Sequence, residues 1–206
     1  MAEVRYGYYL RPSPQMCNAQ VRIHLLLERQ FGLRVAGRFM PHATIKGFFA
    51  SEADVDHIRE SAKSIVDGLT TFPVFSQGAV GFGSLGIALS IMRMPDLAQN
   101  DMLQALHDRA LEVLMPLVSG TCNFTPNEWL GVRFEAHLTL AMADIPSTLF
   151  NEVLQFVQAL EPVGPEMFMA ERLHLYAFES EDWHADWWDS LRWELIDSWN
   201  LSPSLD

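Results

Sequence analysis

The apolar positions of this chain switch several times between a spacing of two and a spacing near 3.6. That pattern predicts strands alternating with amphipathic helices. Tyr6–Leu10 is a short aromatic-rich strand, followed by a turn at Pro12–Pro14. Met16 to Phe31 predicts a helix with Val21, Leu25, Leu26 and Phe31 on its apolar side, stopped by Gly32. Phe39–Phe49 is the next strand. Ser51, with Asp54 three residues on, opens a helix in a variant of the capping pattern that runs to about Gly68. Phe72–Phe82 and Leu85–Met92 predict a hairpin joined at Gly81-Phe82-Gly83-Ser84. Leu97 to Val118 predicts a helix with a break at Pro116. Phe134–Met142 is a strand, Ser147 to Leu160 a helix, and Met167–Phe178 with Leu191–Trp199 a closing strand pair.

Each half of this order reads helix, strand, helix, hairpin, and the middle strands share a motif. Pro41-His42-Ala43-Thr44-Ile45 and Ala136-His137-Leu138-Thr139-Leu140 both carry His-x-Thr followed by an apolar residue. Chance placement of the chain's His and Thr residues would give two such copies roughly two per cent of the time. Side chains of a strand alternate between faces, so each His shares a face with its Thr, roughly 6–7 Å away. Ala43, Ile45, Leu138 and Leu140 point the other way, into a core. If the two strands are neighbours, His42, His137, Thr44 and Thr139 converge on one pocket.

Those four groups suit a phosphodiester. For a cyclic phosphate attacked in line by water, one group must take the water's proton and another must protonate the departing oxygen. Imidazole, with an ordinary pKa near 6.5, performs either task near neutrality. The Thr hydroxyls would donate to the non-bridging oxygens, where charge gathers in the transition state. Lys46, two residues beyond Thr44, and Arg133, just before the second motif, are candidate phosphate cations, as is Arg38; a surface role is the alternative for each. No HExxH or CxxC pattern is present, so neither a metal nor another cofactor is expected. His174 and His184 stand among acidic residues that read better as a solvated loop than as a cation site. His24, His57 and His107 fall in predicted helices, where packing is the default reading. Trp183, Trp187, Trp188, Trp193 and Trp199 crowd the C-terminal region, either as a base-stacking platform or as a segment burying its indoles on the sheet.

Composition narrows the partners. The net charge of −12 opposes binding to long nucleic acid, which rests on a basic surface. A small anion in a local pocket stays compatible with that charge. Two cysteines are too few for a disulfide framework and fit a reducing compartment. The chain opens without the basic-then-apolar pattern of a secretory leader, and no apolar run is long enough to span a bilayer. A cytoplasmic monomer without membrane contact is the expectation.

The paired motifs resemble those of the two-histidine (2H) phosphoesterases, which include the bacterial RNA 2′,3′-cyclic phosphodiesterases also called 2′,5′ RNA ligases. Phe134-Glu135-Ala136-His137-Leu138-Thr139-Leu140-Ala141 is similar to the family's second motif. Leu175-Tyr176-Ala177-Phe178-Glu179-Ser180 is similar to the Leu-Tyr-x-Ser stretch near its C-terminus, with extra residues before the Ser. Met142 and Ala143 stand where members acting on RNA often carry Arg. The resemblance covers about residues 5–200. It implies an α+β fold over residues 1–206, with two pseudo-symmetric lobes of antiparallel sheet flanked by helices and the active-site cleft between them. It also implies His42 as acid and His137 as base, although the residues alone do not order them. The expected activity is hydrolysis of cyclic 2′,3′ or 2′,5′-type phosphodiesters on small nucleotides or RNA ends. An RNA end-joining ligase and a non-catalytic nucleotide- or phosphate-binding module are the alternatives.

Overall fold

The computed structural model describes residues 3–82, 86–122, 130–184 and 186–204. The elements run β1 (Val4–Arg11), α1 (Pro14–Phe31), β2 (Ala43–Phe49), α2 (Val55–Ser64), β3 (Phe72–Phe75) and β4 (Ala79–Phe82). They continue with β5 (Gly86–Ser90), α3 (Asp101–Leu114), β6 (His137–Ala141), α4 (Phe150–Gln158), β7 (Met167–Ala170), β8 (Arg172–Glu179) and β9 (Arg192–Asn200). The fold is α+β, with antiparallel sheet flanked by the four helices. Among the described residues no helix is long and apolar enough to cross a membrane.

The seven-stranded sheet has the order β4-β5-β6-β2-β1-β8-β9, and β3 pairs with β7 in a separate ribbon. Exchanging β1 with β5, β2 with β6, and β4 with β8 reads the first six strands backwards, so the order is a palindrome. The two repeats are therefore β1-α1-β2-α2-β3-β4 and β5-α3-β6-α4-β7-β8, with β9 added at one edge. The lobes β4-β5-β6 and β2-β1-β8-β9 meet through the pairing of Ala43 with Leu138, which are equivalent positions in the two motifs. Each repeat also sends its first helix across: α1 packs on β6, and α3 on β2. Ala43, Ile45, Leu138 and Leu140 lie in one buried cluster that runs through both lobes.

Several expected elements change at their edges or divide. The single strands expected over Phe72–Phe82 and Met167–Phe178 each divide, first joining the ribbon and then the large sheet. The expected turn at Gly83-Ser84, with Leu85, lies outside the described residues. Asp54, not Ser51, caps α2, accepting the His57 N–H at 2.8 Å. Asn100 caps α3, so that helix starts after Leu97, and Pro116 falls in a 3₁₀ turn beyond its end. Gly32 ends α1 as expected: its φ of 74° is the left-handed conformation that glycine adopts without a Cβ penalty. The apolar face of α1 is corrected. Val21, Leu25 and Leu26 are exposed, and the buried face is Met16, Cys17, Gln20, Ile23, His24 and Leu27.

Candidate active site

The register explains how four side chains from two distant segments meet. Ala43 pairs with Leu138 in an antiparallel sense. One residue to either side, His42 then stands opposite Thr139, and Thr44 opposite His137. Because side chains alternate, these four share the face away from the core, with the two His on a diagonal of about 7–8 Å. All four line one cleft of about 260 Å³ between the lobes.

Both imidazoles are held in the same way. His42 Nδ1 lies 2.7 Å from the carbonyl of Met40, and His137 Nδ1 lies 2.7 Å from that of Glu135. A carbonyl only accepts, so Nδ1 carries the proton and Nε2 is left to exchange protons with a ligand. Burial pushes the His42 pKa down to about 4, against the pull of the Met40 carbonyl and helped by the nearby His137 and His24. Burial lowers His137 as well, opposed by the Glu135 carbonyl. Aromatic rings fix both side chains. Tyr9 meets His42 edge-on at 4.6 Å between centroids, and Phe82 lies 3.8 Å from His137. Gly7 makes room for Tyr9, since a Cβ there would collide with its ring.

The strands diverge beyond their meeting point, and helix side chains serve the carbonyls of the motif strands. On one side Gln20 Nε2 donates to the Thr139 carbonyl at 2.9 Å, and His24 Nε2 lies 3.0 Å from the same oxygen. On the other, His107 Nδ1 lies 2.6 Å from the Ile45 carbonyl, and its Nε2 accepts the Gly131 N–H at 2.9 Å. His24 and His107 stand on the corresponding helices of the two repeats, α1 and α3. They are more than packing, and the sequence signal was there: buried-face positions of a helix occupied by residues that must hydrogen-bond.

The proposed cations do not come to the cleft. Between Thr44 and Phe49 the pairing of β2 with β1 slips, with Tyr8 facing Lys46 and Tyr9 facing Thr44. This bulge turns Lys46 away from the face of His42. It is buried, its Nζ donates to the Gly47 carbonyl at 3.1 Å, and it lies 5.6 Å from the centre of the Phe49 ring. Arg133 is exposed on a 3₁₀ turn before β6 and does not line the cleft. Arg38 donates to the carbonyls of Trp188 and Asp189 at 3.0 and 2.6 Å, tying down the tryptophan-rich loop.

The residues of that loop divide between burial and the cleft wall. Trp183 is buried in a second aromatic cluster with Tyr9, Met40, Phe48, Tyr176 and Phe178. Trp187, half-buried, forms a wall of the cleft with Phe39 and Phe48. Ser180 Oγ, from the C-terminal motif, donates to the Trp187 carbonyl at 2.8 Å and so closes the loop. His174 faces Tyr176, Nδ1 to hydroxyl at 2.9 Å, while His184 is exposed. Among the described residues no group of His, Cys, Asp or Glu is placed to hold a metal ion.

The chain matches no protein-family model and no curated protein. Its fold does match solved structures over nearly their whole length. Escherichia coli LigT complexed with NADP+ is 12% identical at a TM-score of 0.56, covering 98% of this chain and 99% of LigT. TT0787 of Thermus thermophilus is 12% identical at a TM-score of 0.61, covering 97% and 99%. A third structure, described as a phosphoesterase, is 15% identical at 0.53, covering 98% and 99%. The palindromic sheet on whose axis the two His-x-Thr strands meet therefore belongs to an α+β fold that this chain shares with LigT and TT0787.

Proposed function

We propose that this protein is a phosphodiesterase that hydrolyses 2′,3′-cyclic or 2′,5′-type phosphodiesters of small nucleotides or RNA ends, using His42 and His137 for proton transfer. The observation that carries this reading is the matched pair of imidazoles. Each has Nδ1 committed to a carbonyl and Nε2 available, and both lie on one cleft beside a Thr. LigT structures with 3′-AMP, ATP and phosphate add that this scaffold accommodates small phosphate compounds.

In the hydrolytic step His137 Nε2 takes a proton from water as its oxygen bonds to phosphorus. The bond from phosphorus to the ribose oxygen breaks, and His42 Nε2–H protonates that oxygen. The family resemblance supplies this order of roles. Thr44 and Thr139 donate to the non-bridging oxygens. The phosphodiester anion itself favours protonation of His42, offsetting the burial that keeps the ring neutral in the free protein.

The test is hydrolysis of a panel of 2′,3′-cyclic nucleotides in EDTA by wild type, His42→Ala and His137→Ala. Each variant is expected to lose about 10²–10⁴-fold in kcat while keeping the wild-type circular dichroism spectrum. Wild-type rates in either variant would overturn the reading. A folded wild type that binds these compounds without turnover would favour the binding module instead.

A further inference from the structure

A second recess adjoins the cleft. His137, Thr139 and Met142 line both the cleft and this recess of about 440 Å³, which Phe82, Gly86, Ala88 and Ala141 also line. The first chamber presents Tyr9, Phe39, Met40, Phe48 and Trp187, a continuous apolar and largely aromatic wall beside His42. The second is lined by Phe82 and by small and aliphatic residues, besides the shared His137, Thr139 and Met142. All fourteen Lys and Arg side chains of the protein belong to the described residues, and none lines either chamber. Arg38 is engaged with the Trp188–Asp189 backbone, Arg93 with Glu135, and Lys46 is buried on the opposite face.

A ligand here meets imidazoles, hydroxyls and aromatic rings, within a chain of net charge −12. One negative charge finds hydrogen-bond donors at the two Thr. The His42 imidazolium formed on binding offsets that one charge, and any further charge enters a low-dielectric cleft lined by no Lys or Arg, where charge–charge terms are several-fold larger than in water. A volume of about 260 Å³ is at the small end for ligand sites and suits one nucleoside-sized group rather than a chain of nucleotides.

Resting on the hydrolase reading above, we infer that the substrate is a phosphodiester monoanion whose organic part is otherwise uncharged and carries a flat aromatic face. In nucleotide terms it is a free nucleoside 2′,3′-cyclic phosphate with a 5′-hydroxyl, not a 5′-phosphorylated nucleotide or an RNA end. The base lies on the Phe39–Phe48–Trp187 wall. The phosphate sits between the Thr hydroxyls, and water enters past Phe82 from the second chamber to the side of His137. The leaving ribose oxygen then stays on the side of His42.

Three probes with one base separate the possibilities: adenosine 2′,3′-cyclic phosphate, its 5′-phosphorylated form, and an RNA ending in adenosine 2′,3′-cyclic phosphate. For wild type at low ionic strength, kcat/KM for the 5′-hydroxyl probe is expected to exceed that of the other two by at least about tenfold. High salt should narrow the gap. Met142→Arg, which places a cation between the chambers, should raise kcat/KM for the 5′-phosphorylated probe. Trp187→Ala should raise KM for the 5′-hydroxyl probe by roughly tenfold with kcat retained. Calorimetric binding of the same probes to His42→Ala/His137→Ala keeps the test independent of turnover. Equal or tighter binding of the charged probes, or their equal or faster hydrolysis by wild type, overturns the inference. Selective binding of the 5′-hydroxyl probe without wild-type turnover supports it and removes the hydrolase reading alone.

Discussion

At the residue scale, the two imidazoles set the pH behaviour. Both are driven towards the neutral form by burial, His42 to about 4, yet the proposed hydrolytic step needs one protonated and one neutral ring. The kcat/KM profile, which reports the free protein, is therefore expected to peak on the acid side of the ordinary histidine value of about 6.5. The kcat profile should lie at higher pH, because bound phosphodiester stabilises the imidazolium. A kcat/KM optimum well above that value would contradict the assignment. A third imidazole affects stability instead. His174 is buried on β8, and burial, with repulsion from Arg11 and Arg172, lowers its pKa to about 4. Its Nε2 has no hydrogen-bond partner. Between about 6.5 and about 4 the unfolded chain binds a proton at this residue and the native protein does not, so native stability falls as pH drops through that window. His174→Gln, which retains a donor for Tyr176, should remove roughly 1–3 kcal/mol of that acid-induced loss. Urea unfolding at neutral pH and near pH 5 measures it, and an unchanged acid loss in the variant would refute it.

At the element scale, the cleft depends on helices that reach across to strands of the other repeat. The Ile45 carbonyl and the Gly131 N–H both depend on His107, whose ring also stacks on Phe134 at 3.9 Å between centroids. His107→Leu leaves the buried Ile45 carbonyl and the part-buried Gly131 N–H without this partner and should destabilise the protein by about 1–3 kcal/mol, read from denaturant midpoints. The Thr139 carbonyl is served twice, so Gln20→Leu and His24→Leu should each cost about 1 kcal/mol, and the double variant more than their sum. Strict additivity would show that the two contacts are not shared support. These same side chains mark the limit of what the pattern of apolar positions discloses. The existence of α1, its stop at Gly32 and both motif strands were legible because periodicity and caps are local. The buried face of α1 was misread because Gln20 and His24 point inward to bond a strand distant in sequence, while Val21, Leu25 and Leu26 point out. Lys46 was misplaced for a related reason. Period-two counting assumes an unbroken strand, and the bulge opposite Tyr8 and Tyr9 arises only when β2 is paired with β1.

At the scale of the whole molecule, the repeat was legible in its order but not in its boundary. The sequence places 85–92 at the end of the first half. In the structure β5 opens the second repeat, as β1 opens the first, because each pairs with the motif strand of its own repeat. This exchange has a mechanical consequence. The lobes share little strand pairing, Ala43 with Leu138, and two lobes so weakly laced would be expected to unfold separately. The crossovers argue otherwise. Helix α1 packs on β6 and α3 on β2, β3 of one repeat pairs with β7 of the other, and β8 from the second repeat lies beside β1. Neither lobe keeps its core once the other opens, so unfolding should be a single cooperative transition despite the narrow seam. Tryptophan fluorescence tests this directly, since five of the six Trp residues lie between 183 and 199, and that segment belongs to the lobe containing β8 and β9. Far-UV circular dichroism reports the helices packed on both lobes. Coincident denaturant midpoints and slopes from the two signals are expected. A fluorescence transition displaced from the dichroism transition would mean that the crossovers do not couple the lobes, and that the two sides of the cleft can part without global unfolding.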